Sequence, residues 1–559
     1  MATPPLETRG TGRHSSGSGV TATHRLLPML LLSLASACAD APDHGRDAGA
    51  GGDDAPDLDA APDIAAEDSG DDADPAYDSG DTGSDIADTG ASGTPLPAIT
   101  GAAEGSGLLD GAAWTDTPFA LDEPATPQHP FLAPNPWSNI HNDGAMTDTY
   151  AIAGPRGRDP RLRSAGLRGL CGSIAFRSDG LLVTVCIELA AVRLHLIDPT
   201  AFTLLASLSL PPRPGGVDFG DFGGGGYFFL DNLDRAVVPT SRREVQVLEA
   251  TEGAGGWTWR VVATRDPQLS TSDRIVSALP DAAGNLWFVS AAGVAGYFVA
   301  PFDTDAGALR SLALGEPIAN SFAVDQDGAV YVATEAATYR LVAGPDEPTV
   351  VWRTPYQNIG TTKPGQVSAG TGTTPTLFAG DAVAITDNAD PMQVLVMRRG
   401  TGEVVCTVPV FAAGASATEN SLVAAGRSLF VENNFGYERP SLTATGPGST
   451  AGFARVDLRD DRTGCDKVWE RSDLAAPSVV AKASRVTGLL YTYTRPRIDE
   501  TGHDWAFAAL SLETGDPVWE IRSGSGPLLN NNYAGLAIGP DEAAYLGTLG
   551  GFVRLSDGR

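Results

Sequence analysis

The chain has 559 residues, of which 42% are hydrophobic and 19% charged, with 66 Gly and 40 Pro, a balance that permits a large core and favours short strands joined by tight turns over long helices. Its net charge of −31 argues against a nucleic-acid-binding surface, which rests on clustered Lys and Arg. About half of that charge sits in one segment, Asp40 to Asp88, where 17 acidic residues face a single Arg.

The first element in chain order is a targeting segment. His24 and Arg25 precede the apolar run 26–34, and Ala35, Ser36 and Ala37 lead into Cys38, giving n-region, h-region and cleavage site in order. The run is too short to cross a hydrocarbon core of about 30 Å as a helix. The segment resembles a bacterial lipoprotein signal, departing from the usual pattern in having Ala35 where Leu is common, and the resemblance implies lipidation of Cys38 and membrane anchoring after export. Ala39, not Asp, follows the Cys, which in such families leans toward the outer membrane or cell surface rather than inner-membrane retention.

Residues 39–95 form the second element, a tether of Ala, Asp, Gly, Pro, Ser and Thr with almost no large apolar side chain. Such a segment cannot bury enough surface to offset its ordering entropy, and its like charges keep it extended. The tripeptides Asp81-Thr82-Gly83 and Asp88-Thr89-Gly90 match an aspartic-protease signature, but no scaffold surrounds them and composition alone produces them. The Asp cluster offers hard ligands for weak Ca²⁺ association without forming a Ca²⁺ loop.

A Pro-rich transition, 96–134, leads to repeating units of the length expected for propeller blades over 135–559. The clearest is Ala323-Val324-Asp325-Gln326-Asp327-Gly328-Ala329-Val330-Tyr331-Val332-Ala333, two apolar strands about an Asp-Gly turn. It recurs around Asp281, Asp179 and Asp541. A second motif, Thr514-Gly515-Asp516-Pro517-Val518-Trp519, recurs as Thr463-Gly464 with Trp469 and as Thr401-Gly402.

The pair of motifs resembles the PQQ-like (quinoprotein-type) β-propeller repeat, with an Asp-Gly turn, a Thr-Gly turn and a Trp that docks one blade on the next. Units opening near Ser173, Gly215, Val276, Ile318, Thr373, Asn420, Ser478 and Asn532 predict an all-β propeller of eight blades, with seven as the alternative. The last unit is short of a strand, so an N-terminal strand is expected to close the ring, and the segment 147–152 is assigned to it.

Beyond Cys38, four cysteines remain in an exported chain, which predicts two disulfides among three connectivities. Cys171 with Cys186 and Cys406 with Cys465 are favoured. No spacing suits zinc or covalent haem, and no metal site is assigned.

The resemblance would bring a quinone cofactor only with a vicinal Cys pair, Ca²⁺ ligands and a catalytic Asp. No adjacent cysteines occur, so no cofactor is expected. Of the histidines beyond the tether, His195 reads as a satisfied strand residue, and His129 and His503 stand apart from it and from each other. His141 and Asp143 lie in the polar stretch 135–143 before the expected closing strand. The Gly run 223–226 reads as a loop ahead of a strand at 227–230.

Polar residues at the expected starts of innermost strands, Asn320, Thr374, Glu419, Asn420, Asn531 and Asn532, join His141 and Asp143 as candidate ligand-binding residues at the channel mouth. No catalytic residue is assigned. The expectation is a monomeric cell-envelope lipoprotein whose propeller binds a protein or small ligand without catalysis. The alternative is an envelope enzyme, a degenerate quinoprotein oxidoreductase or a lyase or hydrolase, with its site at the funnel mouth.

Overall fold

The computed structural model describes residues 93–558, apart from 106, 120–122, 124, 189–190, 214–222, 445–447 and 496–503. Cys38, the tether up to residue 92 with its Asp cluster and its Asp-Thr-Gly tripeptides, and His503 lie outside the described residues, whereas the last residues assigned to the tether, Thr94–Pro95, form a strand.

Eight antiparallel sheets follow one another along the chain as blades 1 to 8, with strands running in order from the innermost to the outermost. Blades 1 to 7 span 170–210, 229–265, 275–313, 323–355, 376–409, 423–471 and 482–525, and blade 8 combines 536–556 with an earlier segment. The eight-blade expectation is met. The unit expected to open near Gly215 has its innermost strand later, at Phe229–Leu230, directly after the turn formed by the Gly run.

The sequence pattern follows from the sandwiching of each blade between two neighbours. Second strands such as Leu182–Ile187 and Ala544–Thr548 are buried on both faces and are mostly apolar, with only Thr184 and Thr548 polar, whereas the outermost strand Thr349–Pro355 is mostly exposed. The turn between the first two strands is held by its Asp. Asp325 Oδ1 accepts from the N–H groups of Asp327 and Ala329 at 2.9 Å each, and its Oδ2 accepts from the Tyr331 hydroxyl at 2.9 Å. Asp281 repeats this with Trp287 Nε1 at 2.8 Å, and Asp541 with the Tyr545 hydroxyl at 2.9 Å.

Blade docking uses the second motif. Trp352 Nε1 of blade 4 donates to the Arg399 carbonyl of blade 5 at 2.9 Å, and Trp469 of blade 6 to the Leu512 carbonyl of blade 7 at 3.3 Å. Each indole lies against the glycine of the next blade's Thr-Gly turn, Gly402 and Gly515, where a Cβ would come within 2.6 to 2.7 Å of the neighbouring side chain.

Ring closure departs from the expected position. The outermost strand of blade 8 is Arg161–Gly166, paired with Gly551–Ser556 in antiparallel register. Its mixed burial, with Leu162 and Ala165 buried and Arg161 and Arg163 exposed, suits a rim strand. Within the segment assigned to closure, Thr149–Tyr150 instead pairs in parallel with the innermost strand of blade 7, Lys482–Ser484. Asp148, at φ 56°, bends the chain there away from a regular strand.

Two further strands precede the ring. Thr94–Pro95 adds to the outer edge of blade 1 and Leu108–Gly111 to the outer edge of blade 7, while Gly105 bridges to Leu162 of blade 8 between them.

Both favoured disulfides are present. Cys171 and Cys186 face each other across the first two strands of blade 1, and Cys406 to Cys465 ties the outermost strands of blades 5 and 6.

Candidate functional site

The central channel is filled by the chain's own segment 129–152. The innermost strands of six blades offer N–H groups to the channel, and in a buried setting each needs an acceptor. Carbonyls of the segment supply them: Trp137 to Phe176 of blade 1, Ser138 to Leu230 of blade 2, Gly144 to Val324 of blade 4, Ala145 to Leu377 of blade 5, Thr147 to Ala424 of blade 6 and Asp148 to Ala483 of blade 7, all between 2.7 and 3.2 Å. Trp137 Nε1 reaches the Ile538 carbonyl of blade 8 at 2.9 Å. Positive φ angles at Asn142, Met146 and Asp148 curl the segment so that it meets one blade after another.

This plug carries His141 and Asp143. The His141 N–H donates to Asn139 Oδ1 at 2.7 Å, and its Nδ1 lies 3.0 Å from Asp148 Oδ2. Asp148 also accepts from Lys482 Nζ of blade 7, and neither partner of that pair is exposed to water. On its other side, His141 Nε2 lies 3.4 Å from Thr374 Oγ1 and 3.5 Å from Ser421 Oγ. The ring stacks at 6.4 Å on Tyr227, whose hydroxyl donates to Asn320 Oδ1 at 3.2 Å. Asp143 Oδ2 accepts from the Thr147 hydroxyl at 2.7 Å, and burial pushes its carboxyl up to about 6.

Toward the face on which the chain enters each innermost strand lies a second buried layer. Glu419 Oε2 accepts from the Val367 N–H at 3.1 Å, and Glu432 Oε1 accepts from Asn434 Nδ2 at 3.1 Å and from Asn420 Nδ2. Burial pushes both carboxyls up to about 8, so both are protonated at neutral pH. Asn434 Oδ1 accepts from the Thr418 hydroxyl and the Glu419 N–H, each at 2.9 Å, and joins the two acids into one network.

Of the residues expected at the channel mouth, His141 and Thr374 meet directly, and Asn320 meets them through Tyr227. Asn420 meets Glu432. Asn532 stands apart with Tyr437, whose hydroxyl lies 2.9 Å from its Oδ1, and Asn531 pairs with Ser478 at 3.4 Å. Sequence reasoning left Asp148, Lys482, Glu432 and Tyr227 unassigned. Lys482 had a signal: it is the single charge in the apolar stretch 479–483. His195 is a buried strand residue as expected, but neither ring nitrogen has a partner among the described residues, and burial holds its imidazole down at about 3.

Ser421, His141 and Asp148 stand in the order hydroxyl, imidazole, carboxylate that acyl-transfer enzymes use. Here Ser421 Oγ accepts from the Thr374 N–H at 3.0 Å, Asp148 is shared with Lys482, and all are buried. The arrangement ties the plug to blades 5, 6 and 7. A quinone of the dehydrogenase type would stack on adjacent cysteines, whereas the described cysteines pair across blade 1 and along the outer rim. Among the described residues, no group of three or more His, Cys, Asp or Glu could hold the accompanying metal. These residues do not fit that cofactor.

No protein-family model matches the chain. An uncharacterized protein of Archaeoglobus fulgidus is 29% identical over 273 residues, 43% of this chain, which spans about half (52%) of that relative's length. Among solved structures, a europium-containing methanol dehydrogenase aligns with a TM-score of 0.53 at 12% identity, covering 76% of this chain and 98% of its own. The quinohemoprotein alcohol dehydrogenase from Comamonas testosteroni aligns with a TM-score of 0.50 at 13% identity, covering 78% and 82%. At these identities the likeness concerns the fold alone, and it agrees with the Asp-turn and Trp-docking repeats: the folded part of this chain is an eight-bladed β-propeller, the fold it shares with these two dehydrogenases.

Proposed function

We propose that this chain is a cell-envelope lipoprotein whose propeller works as a non-catalytic binding or scaffold module. In this reading residues 1–38 direct export, Cys38 carries the lipid, the stretch from residue 39 up to the strand Thr94–Pro95 acts as a spacer, and the disc engages a protein or small ligand through one face as a monomer. The observation that carries the non-catalytic reading is the plug: the space where a propeller ordinarily receives a ligand between its innermost strands is taken by 129–152, whose His141, Asp148 and Lys482 serve one another. Two disulfides are compatible with an oxidising compartment.

Purification from native membranes, with mass spectrometry of the N-terminus, tests the anchor. The expected product begins at a lipid-modified Cys38, and Cys38→Ser moves the protein to the soluble fraction; an unmodified Cys38 on membrane-bound protein overturns it. Crosslinking in intact cells tests the binding role. A reproducible partner lost when one face is altered supports it, and a bound quinone in the purified protein would refute it.

A further inference from the structure

A cavity of about 540 Å³ opens on the face opposite the buried acid layer, where the Asp turns of the blades lie. Its floor is the plug at Gly144, Ala145 and Thr147, one wall is the stretch Pro127–Pro130, and its rim follows blades 3 to 7 from Ala282 to Arg485. The volume is that of a small-molecule site.

Three residues lining it hold buried polar atoms with no partner among the described residues: Arg485 Nε, His129 Nε2 and Asn135 Oδ1. Such orphans are rare in folded proteins, and three around one cavity point to a missing hydrogen-bonding group. Other charges at the rim are balanced. Asp325 pairs with Arg399 at 2.9 Å, and Glu123 pairs with Arg462. Arg485 makes no side-chain hydrogen bond or ion pair among the described residues, and burial alone acts on its guanidinium, with no carboxylate near enough to matter. At the far end, His129 Nδ1 accepts from the Phe131 N–H at 3.2 Å, which fixes the proton on Nε2 and makes that atom a donor. Gln128 holds this end together, donating to the His129 carbonyl at 3.0 Å and accepting from the Asn135 N–H at 2.8 Å. Between the two ends the wall is apolar, with Val324, Leu377 and Ala424.

We propose that this cavity binds an elongated organic carboxylate, its carboxylate on Arg485, its apolar body along blades 4 to 6, and a neutral polar group at the His129 and Asn135 end. The site is independent of the lipid anchor and of any partner on the other face.

Decanoate serves as the probe, titrated calorimetrically into the purified full chain near neutral pH, with decan-1-ol as the uncharged control. Saturable one-to-one binding of decanoate is expected, weakened about tenfold or more by Arg485→Gln, as loss of a charge-assisted hydrogen bond implies. Decan-1-ol should bind more weakly by a similar factor. Thermal unfolding of Arg485→Gln verifies that the variant is folded. At the opposite end, 10-hydroxydecanoate, whose terminal hydroxyl can meet His129 Nε2, should bind more tightly than decanoate, and His129→Ala should remove that difference; no difference between the two acids overturns the assignment of that end. The proposal is overturned if decanoate does not bind saturably, if Arg485→Gln binds it equally well, or if the alcohol matches the acid. A short polyaspartate peptide is the competing source of a carboxylate; if it displaces decanoate, the site reads acidic peptides and the organic-acid assignment fails.

Discussion

Glu419 and Glu432 keep their protons in the fold up to about pH 8, whereas in the unfolded chain they lose them near 4.5. The folded form therefore binds more protons across that window, and this stabilisation fades as pH rises through it, by about 1.4 kcal/mol per pH unit for each group. His129 and His195 act in the opposite sense. Burial holds them down at about 4 and 3, so stability falls as pH drops below the 6.5 at which the unfolded imidazole takes its proton. Melting temperature measured against pH should thus decline from 6.5 toward 8, and the double variant Glu419→Gln, Glu432→Gln should flatten that decline. An unchanged alkaline slope in the double variant would refute the assignment of the two acids as neutral. The Asp148 and Lys482 pair gives a second expectation at this scale. Asp148→Asn leaves Lys482 buried without its counter-charge and should cost about 3–5 kcal/mol in urea unfolding, while adding Lys482→Met should recover much of that. Of these residues, Glu419 and His195 were singled out by the sequence, whereas Glu432, Asp148 and Lys482 were not. A residue at an innermost strand start reads as polar, but whether it meets a strand end or a plug depends on a segment hundreds of residues away in sequence.

Blades were legible because their signals are local. The Asp325 turn and the Thr-Gly turns are short stretches whose hydrogen bonds close within a few residues, and the Trp pattern marks the docking side. The closing strand was not, because 147–152 and 161–166 both contain alternating residues, and the difference lies in tertiary context: the first meets inner strand ends and the second an open outer edge. At this scale Gly515→Ala tests the docking motif. With φ at +74° and a Cβ 2.7 Å from the Trp469 ring, it should cost about 1–3 kcal/mol in thermal unfolding. Gly400→Ala in the equivalent turn of blade 5 meets nothing within 4 Å and should be near neutral. Equal effects from the two would remove the argument for indole-on-glycine docking.

Over the whole molecule, the two disulfides close loops of unequal size, 15 residues within blade 1 and 59 between blades 5 and 6. On the chain-entropy account the larger is worth about 4 kcal/mol and the smaller about 3. Replacing Cys406 and Cys465 by Ser should therefore lower the denaturant midpoint more than replacing Cys171 and Cys186, and the reverse order would point to strain or packing as the dominant effect. The even cysteine count made both pairs accessible to sequence reasoning, since each joins positions that blade periodicity had already placed side by side. The plug left no comparable periodic trace.

The strands Thr94–Pro95 and Leu108–Gly111 lie on blades 1 and 7, with blade 8 and its borrowed strand between them. They flank, like a clasp, the one joint of the ring that is not continuous in sequence. A pull applied to the chain ahead of residue 94 reaches that clasp first, loading blades 1 and 7 before it can draw on Arg161–Gly166. Detaching the two strands leaves the pairing of Arg161–Gly166 with Gly551–Ser556, and so the closed ring, as it is.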